Sequence, residues 1–337
     1  MIEKNKNIPK FAAHWAEQLG GRVCKLEQLK GGINNRVFRC SNGNKHWVVK
    51  GYSPASFGQR DRMQSEVDFL RYAALAAPCF TPKLLKVDLE RRCVVLEHIE
   101  GEIYPEGVSP SQRDLKSAIS FFRELNSNQE LAKEMIHFDA AESYLSLRQH
   151  MANVRERLKL MCTEHLPNQY KAQAALMLYE LHMRAEDVEK MIEDQINLGT
   201  VDDLLNPEDR CVSPSDFGFH NAICVVENVK FIDFEFSGWD DPSKACVDFI
   251  LQQRNSILVS PINIASKFFP GREVLIGSRI NAISEILKLK WHCIILGIFN
   301  PAKLTQVTEL GQFVTQETAV ATQLRRYNEY IMLAHPS

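Results

Sequence analysis

Residues 211–248 read CVSPSDFGFHNAICVVENVKFIDFEFSGWDDPSKACVD, a stretch whose acidic residues stand at the mouths of two short apolar runs. Asp216 comes five residues before Asn221, and the second run closes on Asp233. That order predicts a loop, a strand, a turn and a strand. Such a hairpin can hold one carboxylate for a nucleophile and two oxygen ligands for a hard cation such as Mg²⁺. The remaining segments acquire meaning in relation to it.

A chain of 337 residues is longer than one compact core usually supports, so two domains or lobes are expected. Forty basic residues against 42 acidic ones leave a formal charge of -2, with no electrostatic case for nucleic acid or an anionic membrane as partner. Nine cysteines are scattered singly, without C-x-x-C pairs or Cys/His spacing for zinc, and a reducing cytoplasm is the expected setting. The first twenty residues are charged and lack the apolar centre of a signal peptide, and the longest apolar run, residues 293–299, is too short to span a bilayer.

Taken in order, residues 8–19 carry Phe11, Ala12, Trp15 and Leu19 at helical spacing before Gly20-Gly21, which predicts a lead-in helix. Residues 23–29, 37–40 and 47–50 read as three antiparallel strands, the last two joined through Ser41-Asn42-Gly43-Asn44. A helix over 61–77 presents Met63, Val67, Leu70 and Ala74 on one side, and strands follow at 84–88 and 93–97. Residues 1–99 are therefore expected as a five-stranded sheet with one inserted helix, ending in a hinge at 99–102. Residues 100–337 are expected to be mainly helical, nearly continuously so over 140–198 with a break near Pro167, then over 242–256, 272–299 and 304–333. The fold class is α+β.

Lys30-Gly31-Gly32-Ile33-Asn34-Asn35 lies between two predicted strands, where glycines let backbone N–H groups approach phosphate oxygens. A lone Gly-Gly is more often an ordinary hairpin turn. Lys50 closes the third strand with its stem along Val48, Val49 and Tyr52, and taken singly it reads as a solvated strand end. Glu66, sixteen residues on, can reach that ammonium from the predicted helix, although Asp61 and Asp68 offer similar chemistry nearby. Residues 94–101 form an apolar strand running into the hinge, against which an adenine ring would fit. Asp216 is the candidate to orient a hydroxyl, and Asn221 with Asp233 the candidate magnesium ligands. A turn capped by Asx side chains would explain any one of the three; together, after a Lys and a Glu in a sheet region, they favour phosphoryl transfer. Glu235 suits a metal contact or a structural bond equally. His220 reads as a structural loop residue, and Asp248 as a brace for the catalytic loop.

The D-x-x-x-x-N run with a later Asp-Phe is an arrangement shared with protein kinases, and the full set resembles the aminoglycoside phosphotransferase and choline kinase superfamily. GGINNRVFRC with WVVK resembles its nucleotide loop and lysine strand, VVLEHIEGE its hinge, and SDFGFHN with FIDFEFSGWDDP its catalytic and metal loops. The resemblance implies a protein-kinase-like two-lobe fold, with 1–99 binding nucleotide and 100–337 carrying catalysis and the acceptor. By position it makes Asp216 the catalytic base, Asn221 and Asp233 the metal ligands, and Lys50 with Glu66 the phosphate-anchoring pair. Gly31 and Gly32 would lie over the phosphates, and Glu97 and Ile99 would give the hinge contacts. ATP and Mg²⁺ are the implied cofactors, and a small-molecule alcohol the partner.

Two departures stand out: Pro214-Ser215 precedes the aspartate where many members have a histidine, and Asn126 in RELNSN replaces another common histidine. The expected reaction phosphorylates a hydroxyl of a sugar or sugar-like alcohol. Choline, another amino alcohol or an aminoglycoside is the alternative, for which Asp202, Asp203, Glu235, Trp239 and Asp240 would supply an acidic or aromatic pocket. A nucleotide-binding pseudokinase scaffold is the reading of another class, and protein kinase activity is disfavoured because no A-P-E-like end follows Asp233.

Overall fold

The structure is a computed structural model that describes residues 8–21, 24–29, 35–55, 59–226, 228–309, 313 and 315–334. Helix α1 (Lys10–Gly20) leads into strands β1 (Lys25–Gln28), β2 (Asn35–Asn42) and β3 (Lys45–Tyr52). Then come α2 (Arg62–Ala76), β4 (Leu84–Asp88), β5 (Cys93–Glu97), β6 (Glu102–Ile103), α3 (Gln112–Leu125) and α4 (Gln129–Met135). Helices α5 (Leu147–Lys159) and α6 (Asn168–Asn197) precede the short strands β7 (Cys211–Ser213), β8 (Ala222–Cys224), β9 (Val229–Phe231) and β10 (Gly238–Asp240). The chain closes with α7 (Pro242–Ile250), α8 (Pro261–Phe268), α9 (Glu273–Ile295), α10 (Pro301–Glu309) and α11 (Gln316–Ala334). The fold is α+β, as expected.

Packing divides the chain into two compact units, Met1–Ala141 with Val212–Trp239, and Glu142–Cys211 with Asp240–Ser337. In the first, an antiparallel sheet runs in the order β1-β2-β3-β5-β4. Cys40, Trp47, Val49, Cys93 and Val95 on this sheet bury themselves with Ala16 of α1, and the ring of Phe11 occupies the place where a side chain on Gly51 would lie. The β3–β5 register sets Lys50 opposite Val94. Helix α2 begins where Asp61 accepts the Gln64 N–H at 3.2 Å. Strands β6, β8 and β9 form a second antiparallel sheet, and any Cβ on Gly101 would collide with the Cys224 carbonyl.

The second unit is helical around buried ion pairs. Lys244 meets Asp240 at 2.7 Å and Asp248 at 3.4 Å, while Lys290 meets Asp248 at 2.7 Å. Arg279 bonds Asp241 at 2.7 Å and the carbonyls of Asp202, Asp203 and Leu145. His150 lies close to this network with a ring nitrogen 3.0 Å from the Tyr144 carbonyl. No helix among the described residues is long and apolar enough to cross a membrane.

Several elements differ from expectation. β2 and β3 are each eight residues long because they pair along their whole length, which short alternating runs understate. α7 stops at Ile250 rather than continuing to 256, and Ser260 with Pro261 starts a separate helix, α8. The helix expected over 304–333 is two, α10 and α11. Over 140–198, Ser146 caps α5, and α6 begins after Pro167. Asp248 bonds Lys290, Lys244 and the Trp291 indole.

His150 gives the helical unit a pH dependence with a definite sign. Burial, with help from Lys244, Lys290 and Arg279 against Asp241, lowers its pKa to about 3. The unfolded chain takes up this proton near the ordinary value of about 6.5, so stability is full above that pH and falls as the pH drops towards 3. The expected slope from this residue is about 1.4 kcal/mol per pH unit. Denaturant midpoints measured between pH 7 and 4 should show it, and His150→Gln should flatten it.

Candidate active site

Lys50 is held on β3, an inner strand of the sheet, and its ammonium bonds Glu66 Oε2 at 2.6 Å and Asp233 Oδ1 at 2.5 Å. Lys50 and Glu66 are 4% and 1% exposed. Tyr52, two residues along the same strand and so on the same face, donates to the same Glu66 oxygen at 2.7 Å. Burial opposes the ammonium's charge, but Glu66, Asp233 and Glu235 outweigh it and the Lys50 pKa is raised. The other carboxylates near this helix are committed elsewhere: Asp61 caps α2 and pairs with Arg92, and Asp68 accepts from Gln64.

Asp216 and Asn221 flank a short turn. The Asn221 Nδ2 donates to the Asp216 carbonyl at 3.0 Å and to its Oδ2 at 3.3 Å, while His220 Nε2 lies 3.1 Å from Oδ1. With its amide nitrogen so engaged, Asn221 keeps Oδ1 as an acceptor. The Ile232 N–H donates to the Asn221 carbonyl at 2.9 Å, so Asn221 and Asp233 adjoin at the open end of the β8–β9 hairpin. Asp233 takes φ +68°, a left-handed conformation that aspartate tolerates better than most residues.

An aromatic bed supports these loops. Phe217 packs against Phe121, Phe122 and Phe231, and Phe219 against Tyr104. Phe234, next to Asp233, stacks on Phe69 at 4.5 Å. Phe69 lies one turn from Glu66 on α2, so a single stack ties the positions of both carboxylates that hold Lys50.

The departures at Pro214-Ser215 and Asn126 are braced in another way. Asn126 Nδ2 donates to the Val212 carbonyl at 3.0 Å, and the Val212 N–H returns to Asn126 Oδ1 at 2.8 Å. Ser215, at φ +66°, donates its N–H to Ser213 Oγ at 3.0 Å and its hydroxyl to the Ala141 carbonyl at 3.1 Å.

Glu235 is buried and accepts from Asn35 Nδ2, the structural bond of its two expected alternatives. Burial raises its pKa against the pull of Lys50. Neither Asn35 nor Tyr52 had been singled out for a role. The signal for Tyr52 was its two-residue spacing from Lys50, and for Asn35 its place directly after the glycine turn. Gly31 and Gly32 lie outside the described residues. At the hinge, the Glu97 N–H donates to the Lys83 carbonyl at 2.9 Å, whereas the backbone of buried Ile99 makes no hydrogen bond among the described residues.

Of the residues considered for a cation pocket, Asp203 is matched by Arg148 and Asp240 by Lys244, and the Trp239 indole donates to the Ile136 carbonyl. The described residues contain no group of three or more His, Cys, Asp or Glu able to hold a metal by themselves. Asn221 Oδ1 and the Asp233 carboxylate are two hard oxygens. That set fits Mg²⁺, which completes its shell with water and phosphate oxygens.

Comparison with known proteins supplies the class: the protein is a small-molecule phosphotransferase. The chain belongs to the phosphotransferase enzyme family, which it matches over residues 25–244. No curated protein matches it. Among solved structures, a choline/ethanolamine kinase family protein from Mesorhizobium loti is 18% identical, with a TM-score of 0.54 over 93% of this chain and 90% of that one. A spectinomycin phosphotransferase bound to ADP and spectinomycin is 12% identical, with a TM-score of 0.57 over 95% and 99% of the two chains. A choline kinase from Cryptosporidium parvum is also 12% identical, with a TM-score of 0.54 over 97% and 94%. At these identities the likeness is one of fold.

Asn126→Ala should leave the N–H and carbonyl of buried Val212 without their partners, at a cost of about 1–3 kcal/mol. Urea unfolding of the variant should show that loss with an unchanged m-value.

Proposed function

We propose that the protein transfers the γ-phosphoryl group of ATP to a hydroxyl of a small metabolite. The observation that carries this reading is the single ammonium of Lys50 held between Glu66 and Asp233, with Asp233 adjoining the Asn221 that bonds Asp216. A positive charge fixed in this way is suited to phosphate oxygens. Residues 1–99 bind the nucleotide: Gly31 and Gly32 over its phosphates, Lys50 anchored by Glu66 against them, and the backbone of Glu97 and Ile99 against the base. Residues 100–337 supply catalysis and the acceptor. The similar spectinomycin phosphotransferase bound to ADP supports a purine nucleotide.

Asn221 and Asp233 would hold Mg²⁺, which supplies neutralisation of phosphate charge when bound. Asp216 receives the proton of the acceptor hydroxyl as its oxygen bonds to the γ-phosphorus and the bond to the ADP oxygen breaks. His220 on one carboxylate oxygen and Asn221 on the other hold Asp216 in orientation. A sugar or sugar-like alcohol is the preferred acceptor, because Arg148 and Lys244 already match the carboxylates of Asp203 and Asp240. Choline, another amino alcohol or an aminoglycoside is the alternative, favoured by the substrates named for the similar structures. All nine cysteines are free, which supports a reducing, cytoplasmic setting.

Mass detection of phosphorylated product from a panel of sugars, amino alcohols and aminoglycosides tests the reaction. No product from any acceptor, with ATP binding intact, would favour the pseudokinase scaffold. Asp216→Asn should lower turnover roughly 10²- to 10⁴-fold, with nucleotide affinity close to wild type; unchanged turnover removes Asp216 from its role. In Lys50→Ala, binding of a fluorescent ATP analogue should weaken at least about tenfold, the scale of losing one charge-assisted phosphate contact.

A further inference from the structure

Lys50 faces three carboxylates, those of Glu66, Asp233 and Glu235. Two of them take a second, uncharged donor. Glu66 Oε2 accepts the Tyr52 hydroxyl at 2.7 Å beside the ammonium at 2.6 Å, and Glu235 accepts from the Asn35 amide. Asp233 accepts from Lys50 alone among the described residues, and its side chain is 34% exposed against 1% for Glu66.

The two uncharged donors come from one place. β2 and β3 pair with Asn35 directly opposite Tyr52, so both side chains stand on the face that carries Lys50. The two buried carboxylates are thereby committed to the sheet, and the exposed one is left to Lys50.

Tyr52 removes a freedom that a lysine–glutamate pair otherwise keeps. The last torsion of a glutamate is broad and the lysine stem is flexible, so two such groups joined by one contact can swing together and still attract. A tyrosine has only two side-chain torsions, and this one is 6% exposed, with its ring centroid 5.3 Å from the Lys50 ammonium. Two donors from the same strand, converging on one Glu66 oxygen, tie α2 to β3 at a defined point. Burial and the neighbouring Glu66 charge raise the Tyr52 pKa, which keeps the proton on the phenol and the hydroxyl a donor.

We propose that Tyr52 is a positioning residue for phosphoryl transfer. Its hydroxyl fixes the Glu66 carboxylate, and through it the Lys50 ammonium, so that Lys50 keeps Glu66 and exchanges Asp233 for a phosphate oxygen of the nucleotide. This role rests on the nucleotide site proposed above. Tyr52 acts through Glu66, so its effect is confined to the phosphates and disappears when Glu66 cannot accept.

Tyr52→Phe removes the hydroxyl and keeps the ring. Calorimetric titration of the full-length variant with ATP and Mg²⁺ should give a Kd about three- to tenfold above wild type, the scale of one net hydrogen bond. The Kd of adenosine, which lacks the phosphates, should be the same in both proteins when measured by competition with a fluorescent ATP analogue. Glu66→Met keeps the side-chain volume and removes the acceptor; in that background Tyr52→Phe should change the ATP Kd by less than about twofold. Circular dichroism establishes that each variant is folded, and if the Glu66 variant is not, the comparison of ATP with adenosine decides alone. An ATP Kd unchanged in Tyr52→Phe, an adenosine Kd raised as far as that of ATP, or an equal loss in the Glu66→Met background overturns the proposal. Any of these beside wild-type ATP binding and turnover would leave phosphotransfer standing, whereas wild-type protein that binds no ATP would defeat both.

Discussion

A lysine ammonium, 4% exposed and surrounded by carboxylates, is the interaction on which the site depends. Burial alone would drive Lys50 towards its neutral form, and it keeps its charge because Glu66, Asp233 and Glu235 face it. A buried ion pair of this sort adds little net stability, since desolvation offsets most of the attraction, whereas removing one partner leaves an uncompensated charge. Its value lies in position. Three pieces of chain far apart in sequence, β3, α2 and the end of the β8–β9 hairpin, have to arrive together for the charge to be tolerated.

The aromatic residues make that arrival possible. Phe234 follows Asp233 directly and stacks on Phe69, while Phe217 and Phe219 bracket the turn between Asp216 and Asn221 and pack into the same cluster. Each polar residue of the site therefore has a buried ring close by in sequence. Rings of this size contribute large apolar area with few rotatable bonds, so they fix loops that have little regular hydrogen bonding of their own. The left-handed conformations at Ser215 and Asp233 are held on this packed base.

Much of this was legible in the residues. The strands 84–88 and 93–97, the helix carrying Glu66 and the spacing of Asp216, Asn221 and Asp233 depend on local periodicity and turn chemistry, and they recur in the structure with those limits or close to them. What was not legible depends on partners remote in sequence. Asp61, Glu66 and Asp68 are chemically alike along one short segment, and only the placement of Arg92, Lys50 and Gln64 sorts them. Asn126 stood out as a missing histidine, yet its exchange of two hydrogen bonds with Val212 across 86 residues has no local signature. The same holds for Asp248, whose pairing with Lys290 over 42 residues has no local signature.

The helical unit shows the converse logic. Asp240, one of the residues considered for a cationic ligand, stands in an acidic stretch with Asp241 and Asp248, but Lys244, Arg279 and Lys290 neutralise all three in the interior. A carboxylate already matched to a buried cation has little to offer a second one, because the new contact must first compete with the old. Acidic composition near a site is therefore a poor guide to a cationic substrate here.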